Sequence, residues 1–201
     1  MNFRLGEQAG LNAVRVSSDG LEGSPIDFRA QAIGGRPCCI ALQTPRPSGR
    51  VAGQSGPVRV QVTDNRGNGI DNYTVQIRLL KGTGSLTKTA VATTGGGIAT
   101  TFVNFDNTSG YRYVQVIADG LAGSPLTIPV YAQAEAAVSM QAVARTNNQG
   151  GTIKKALNFP LQVLFKDQYG NPSLGEGANF VITKGGGFLN GQASVVSFST
   201  T

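Results

Sequence analysis

The chain has 201 residues, 40% hydrophobic, 14% charged and 7% aromatic, with 28 glycines and neither tryptophan nor histidine. Without histidine it lacks the usual acid/base near neutral pH and the commonest metal ligand, so no enzyme, metal or cofactor is expected. The net charge of +6 is spread thinly, Lys154-Lys155 being the only adjacent basic pair, which argues against nucleic acid as a partner.

The first ten residues hold no apolar run, so no export signal is expected there, and nothing approaches the roughly 18 apolar residues of a membrane span. Phe3 and Leu5 alternate with polar neighbours, residues 11–16 alternate again, and residues 26–30 form a further strand. Between them stands Asp19-Gly20-Leu21-Glu22-Gly23-Ser24-Pro25, whose Asp-Gly pair signals a hairpin turn. Cys38 and Cys39 are the only cysteines. Two thiols, a bond between neighbours, or bonds to another subunit all remain open.

A strand over residues 40–43 is followed by a Pro/Gly/Ser loop, residues 44–56, expected to be irregular. Residues 58–62 alternate cleanly and end at the turn of Asp64, Gly67 and Asn68. Strands are expected over residues 73–80, 90–93, 98–105, 111–118 and 126–132, a spacing of turn signals near ten residues that marks a β-sandwich. Beyond, residues 138–144 and 159–165 read as strands around an Asn/Gly loop at 146–152.

The chain repeats itself. Asp119-Gly120-Leu121-Ala122-Gly123-Ser124-Pro125 lies 100 residues after its near-identical copy, and the turn of Asp167, Gly170 and Asn171 lies 103 after that of Asp64, Gly67 and Asn68. Lys81-Gly82-Thr83-Gly84-Ser85-Leu86 is matched, again 103 later, by the run from Lys184 to Leu189. The fold expected is therefore all-β: tandem immunoglobulin-like sandwiches, with one complete module plus two complementary parts of a second. Residues 36–135 would be the complete module, 1–35 the C-terminal strands that complete a neighbouring module, and 136–201, ending at Ser199-Thr200-Thr201, the N-terminal part of a module completed by residues 1–35 of a neighbour.

Asp64-x-x-Gly67-Asn68 and Asp167-x-x-Gly170-Asn171-Pro172, each followed by a strand and a glycine-rich stretch, resemble the bacterial immunoglobulin-like repeats of invasin- and intimin-type surface proteins. That resemblance implies an extracellular or cell-surface structural role. The expected function is a subunit or repeat of a filament, fibre or stalk that polymerises head to tail, as a covalent array or by strand donation of the donor-strand complementation kind. The alternative is an adhesin or carbohydrate-binding module on a cell-surface or virion protein. The partner is then the chain itself, or surface glycans or a host surface, and the assembly interface would be Phe3, Leu5, Val14, Val16, Ile26 and Phe28.

Other residue patterns have structural readings. Asp64, Asn68 and Asp71 resemble half of a calcium loop, but the second copy has Leu174 in place of Asp71, so turn chemistry is expected. Gly95-Gly96-Gly97 and Gly185-Gly186-Gly187 lack the ending of a phosphate loop and are expected to be flexible or bulged. Tyr111 and Tyr113 flank Arg112 on one strand, an arrangement suited either to packing or to stacking on a ligand.

Overall fold

The computed structural model describes residues 1–190 and 194–198, and the expected end at Ser199-Thr200-Thr201 lies outside the described residues. Among the described residues the fold is all-β, with one short 3-10 turn at Ala144–Thr146. In chain order the strands are β1 Gly10–Val16, β2 Ile26–Ala32, β3 Cys39–Leu42, β4 Ser48–Arg50, β5 Val58–Thr63, β6 Thr74–Lys81, β7 Ser85–Leu86 and β8 Ala90–Ala92. They continue as β9 Ile98–Thr101, β10 Val103–Asn104, β11 Gly110–Ile117, β12 Leu126–Gln133, β13 Ser139–Ala142, β14 Val163–Lys166, β15 Gly177–Val181 and β16 Ser194–Phe198.

The immunoglobulin-like sandwich consists of a three-stranded sheet, β3-β5-β9, and a five-stranded sheet, β4-β12-β11-β6-β8. Period-two alternation builds it. Val58, Val60 and Val62 of β5 point inward with at most 2% exposure, as do Val114 and Val116 of β11 and Ile128 and Val130 of β12. Each such side chain removed from water contributes about 1.5–3 kcal/mol.

Four expectations change. The loop at 44–56 contains β4, which pairs with β12 at the sheet edge, because three residues with free backbone groups suffice there. The strand expected over 98–105 divides into β9 and β10, which pair with β5 and β7 respectively: the chain changes sheets at Phe102 while Thr101 and Val103 both stay buried. Phe3 and Leu5 lie in no strand, and the strand expected from 159 begins only at Val163.

The chain divides into two compact units. The first comprises Met1–Ser48, Gln54–Asn104 and Tyr111–Tyr131; the second comprises Gly49–Gly53, Phe105–Gly110 and the chain from Ala132 onward. In the first, β1 and β2 form an antiparallel hairpin whose register sets Val14 opposite Phe28 and Val16 opposite Ile26. In the second, β13 pairs with β14 and β15 with β16.

The repeat is reproduced in the pairing. Ile40 faces Val62 in β3-β5, and Met140 faces Phe165 in β13-β14; Leu42 faces Val60, and Ala142 faces Val163. The two offsets of 100 and 103 are thus carried by the two strands of one ladder, and the three extra residues fall in the connection between them.

Candidate functional site

The most heavily hydrogen-bonded polar residues the repeat singled out are Asp64 and Asn68, with their counterparts Asp167 and Asn171. All four are buried. Gly67 at φ +83° and Gly170 at φ +86° allow the tight reversal that brings each Asn back over its Asp. Asp64 Oδ1 accepts the N–H groups of Arg66 and Asn68, both at 2.9 Å, while Oδ2 accepts Gly35 N–H at 2.9 Å and the Asn68 amide at 3.0 Å.

Asn68 then reaches out of its turn. Its Nδ2 donates to Glu7 O at 2.9 Å and its Oδ1 accepts Ala9 N–H at 2.9 Å, so both ends of one amide hold a segment some sixty residues earlier. The second copy is the same bond for bond. Asp167 accepts from Tyr169, Asn171 and Glu135 N–H and from the Asn171 amide, at 2.8–3.0 Å. Asn171 Nδ2 donates to Asn107 O at 2.8 Å and its Oδ1 accepts Ser109 N–H at 2.9 Å. Gly35 and Glu135, Glu7 and Asn107, and Ala9 and Ser109 are each 100 apart, while the Asp and Asn pairs are 103 apart. We call each arrangement an asparagine clamp.

Each clamp therefore ties three pieces of chain together: the turn itself, the segment leading into β3 or β13, and the loop that precedes β1 or β11. The turn chemistry expected of these residues takes this form: Asp64 accepts N–H donors, and Asp71 Oδ1 accepts Gly96 and Gly97 N–H at 3.0 and 2.7 Å.

The Gly35 N–H and then the Asn68 side chain hold the Asp64 carboxyl well below the usual carboxylate range, against the opposing effect of burial. For Asp167 burial pushes upward most strongly, but Asn171, Glu135 and Tyr169 together outweigh it and leave the pKa lowered. A carboxyl with a depressed folded pKa contributes stability that is complete above its unfolded value of about 3.9 and is lost as pH falls through the folded value. Thermal melts should accordingly be flat from neutral pH to about 5 and decline below about 4, and Asp64→Asn should make that decline shallower.

The Asp-Gly-Leu-x-Gly-Ser-Pro loops also match. In each the serine hydroxyl accepts a backbone N–H at 2.9 Å, from Ser18 in one and Ala118 in the other, and the Ser-Pro bond is cis. Asp19-Gly20 and Asp119-Gly120 thus stand in a longer β-β connection rather than in a two-residue turn, which the Asp-Gly signal alone does not distinguish. The loop at 119–125 docks on β3: Ile40 N–H donates to Ala122 O at 2.9 Å, Ala122 N–H donates to Cys38 O at 2.8 Å, and a Cβ at Gly123 would lie 2.5 Å from Ile40 O. A Cβ at Gly23 would meet nothing within 4 Å beyond its chain neighbours. Cys38 and Cys39 form a disulfide with each other.

Of the six residues expected at an assembly interface, Val14, Val16, Ile26 and Phe28 share one face of the β1-β2 hairpin. Phe28 is 62% exposed, whereas Ile128, one repeat later, is fully buried. Phe3 and Leu5 are exposed outside the hairpin. In the second unit, a cavity of about 1070 Å³ is lined by Phe159, Leu161, Phe165, Leu174, Phe180 and Phe188 among others. Val163, Phe165 and Phe180 are half-buried there, while their counterparts Val60, Val62 and Ile77 are no more than 4% exposed.

No protein-family model matches the chain, and no curated protein matches it. Among solved structures it is similar to FdeC, described as an Escherichia coli adhesin, at 16% identity over 95% of this chain and 66% of that one, with a TM-score of 0.48. It is similar to InvD of Yersinia pseudotuberculosis at 15% identity, covering 97% of this chain and 62% of the other, TM-score 0.46. Invasin, described as a bacterial integrin-binding protein, is matched at 15% identity over 86% of this chain and 35% of that one, TM-score 0.45. The chain spans two thirds or less of each.

Proposed function

We propose that this chain forms part of the shaft of an extracellular or cell-surface protein, in which immunoglobulin-like modules are coupled head to tail through asparagine clamps. The observation that carries this reading is the recurrence of the same clamp twice at the repeat spacing. An ordinary turn needs only the local Asp bonds; the two bonds by which each Asn grips a remote segment serve to fix one part of the array against another.

Head-to-tail coupling also accounts for the exposed hairpin and the open groove. In the complete sandwich β6 pairs with β11, Ile77 opposite Val116 and Leu79 opposite Val114. Carried through the repeat, that register sets Phe180 opposite Val16 and Ile182 opposite Val14 of a hairpin supplied by the next module. Glu22 would then meet Val138 and Met140 as Ala122 meets Cys38 and Ile40. The apolar face of one copy and the groove of another are different surfaces, so such a contact is heterologous and propagates into a filament.

Mixing Val16→Cys and Phe180→Cys variants under oxidising conditions should give a disulfide-linked pair of chains. Absence of the cross-link, with a monomer at every concentration by analytical ultracentrifugation, would sink the assembly reading. An adhesive role for the shaft is the second reading, favoured by one observation: three tyrosines grouped on the outer face of the five-stranded sheet.

A further inference from the structure

We propose that Tyr111, Tyr113 and Tyr131, with Lys81 and Arg78, form a binding surface for a carboxylate-bearing polysaccharide. The Tyr111 ring lies 4.9 Å from Tyr131 and 6.3 Å from Tyr113, the planes tilted by 51° and 35°. Lys81 Nζ stands 6.0 Å from the centre of the Tyr113 ring, within reach of a cation–π contact. Arg78 is exposed on β6 and donates to Gln115 at 2.8 Å.

Alternation explains how the group arises. On β11 the inward positions are Arg112, Val114 and Val116, with Arg112 Nε donating to Thr83 O at 2.8 Å, so Tyr111 and Tyr113 must point outward. Packing does not require them to be aromatic. One repeat earlier the same three positions of the β1-β2 hairpin are Leu11, Ala13 and Gln31, and that hairpin forms its full ladder, with Leu11 opposite Gln31. Tyr111 is nevertheless 60% exposed, a placement that leaves most of a large ring in water.

The chemistry identifies the ligand class. The face of a tyrosine ring is electron-rich and attracts the weakly positive axial C–H bonds of a pyranose, while each hydroxyl offers a donor and an acceptor to sugar hydroxyls. The charge is one-sided. Strands β6, β11 and β12 contain no aspartate or glutamate, and the basic residues outward on them are Arg78 and Lys81. Two isolated cations suit spaced carboxylates. The continuous basic groove that tracks a nucleic-acid backbone is missing from these strands.

The inference is independent of whether modules complete one another head to tail, and it is read on the whole chain. Binding of polygalacturonate, hyaluronate and polysialic acid would be measured by calorimetry, beside their carboxyl-reduced forms and a single-stranded oligonucleotide. At least one acidic polysaccharide should bind, at least tenfold more weakly when carboxyl-reduced. Tyr111→Ala and Tyr131→Ala should each weaken it at least tenfold and Lys81→Gln several-fold, with unchanged melting curves; Tyr111→Leu, which reproduces Leu11, should lose binding while keeping the fold. Binding to none of the three, equal binding of the reduced forms, indifference to the tyrosine substitutions, or tighter binding of the oligonucleotide would each overturn the proposal.

Discussion

Gly97→Ala should unfold the sandwich or cost it upwards of about 4 kcal/mol, the range reserved for substitutions that force backbone apart. Gly97 sits at φ +83°, and an added Cβ would lie 2.2 Å from Val62 O and 2.7 Å from Ile70 N. Both neighbours are backbone, held by the bonds from Val62 N–H to Gly97 O and from Ile70 N–H to Val62 O, each 2.9 Å, so neither can yield without opening the sheet. Gly69 is equally confined, its would-be Cβ 2.0 Å from Gly96 O. The glycine stretch, expected to be flexible or bulged, is packed at Gly97 against the back of the clamp turn. Gly95→Asn is the control: Gly95 also has positive φ, at +60°, but nothing within 4 Å, and Asn tolerates that region, so a change of no more than about 1 kcal/mol is expected. Urea denaturation followed by circular dichroism measures both, and a Gly97→Ala protein within about 1 kcal/mol of the parent would contradict the close approach.

The second large effect is expected at the clamp. Asn68→Ala removes one acceptor and two donor bonds from a buried site and should cost roughly 2–3 kcal/mol. Asn68→Asp should be worse at neutral pH, because the atom that donates to Asp64 and Glu7 O becomes an anionic oxygen facing a carboxylate and a carbonyl; the gap between Asp and Ala should narrow in acid. The same holds at Asn171. A purely local turn would lose stability without loosening anything remote, so amide hydrogen exchange decides: Ala9 in the first case and Ser109 in the second should exchange at least tenfold faster. Unchanged exchange at both amides would reduce the clamp to an ordinary turn.

Much of this was legible in the sequence because it rests on local rules. Period-two alternation located β5 and β11, and two heptapeptides 100 residues apart exposed the repeat. Asp64 and Asp167 were legible as turn residues because Asp-x-x-Gly-Asn has its mechanism within five residues. The outward reach of Asn68 was not, since its partners Glu7 and Ala9 contribute only backbone, which carries no sequence signature. A signal was present all the same: Asn is kept at both copies while the next residue changes from Gly69 to Pro172. Strand β4 was hidden because three residues among prolines and glycines have too little pattern to read. The break at Phe102 was hidden because alternation continues across it while the pairing partner changes. Tyr131 was missed beside Tyr111 and Tyr113 because adjacency across β11 and β12 depends on register.

The clamp has a genetic consequence. In the proposed shaft each repeat unit would encode both halves of a coupling: an Asp/Asn turn that grips an earlier stretch of chain, as Asn171 grips Asn107 and Ser109, and a backbone loop of that kind for a later turn to grip. Because the gripped half is backbone, Glu7 and Ala9 serve in one copy where Asn107 and Ser109 serve in the other, and no side chains need to co-vary. In the proposed shaft, unequal crossing-over within the gene would add or delete whole units without creating a mismatched seam, so copy number would set the length of the array.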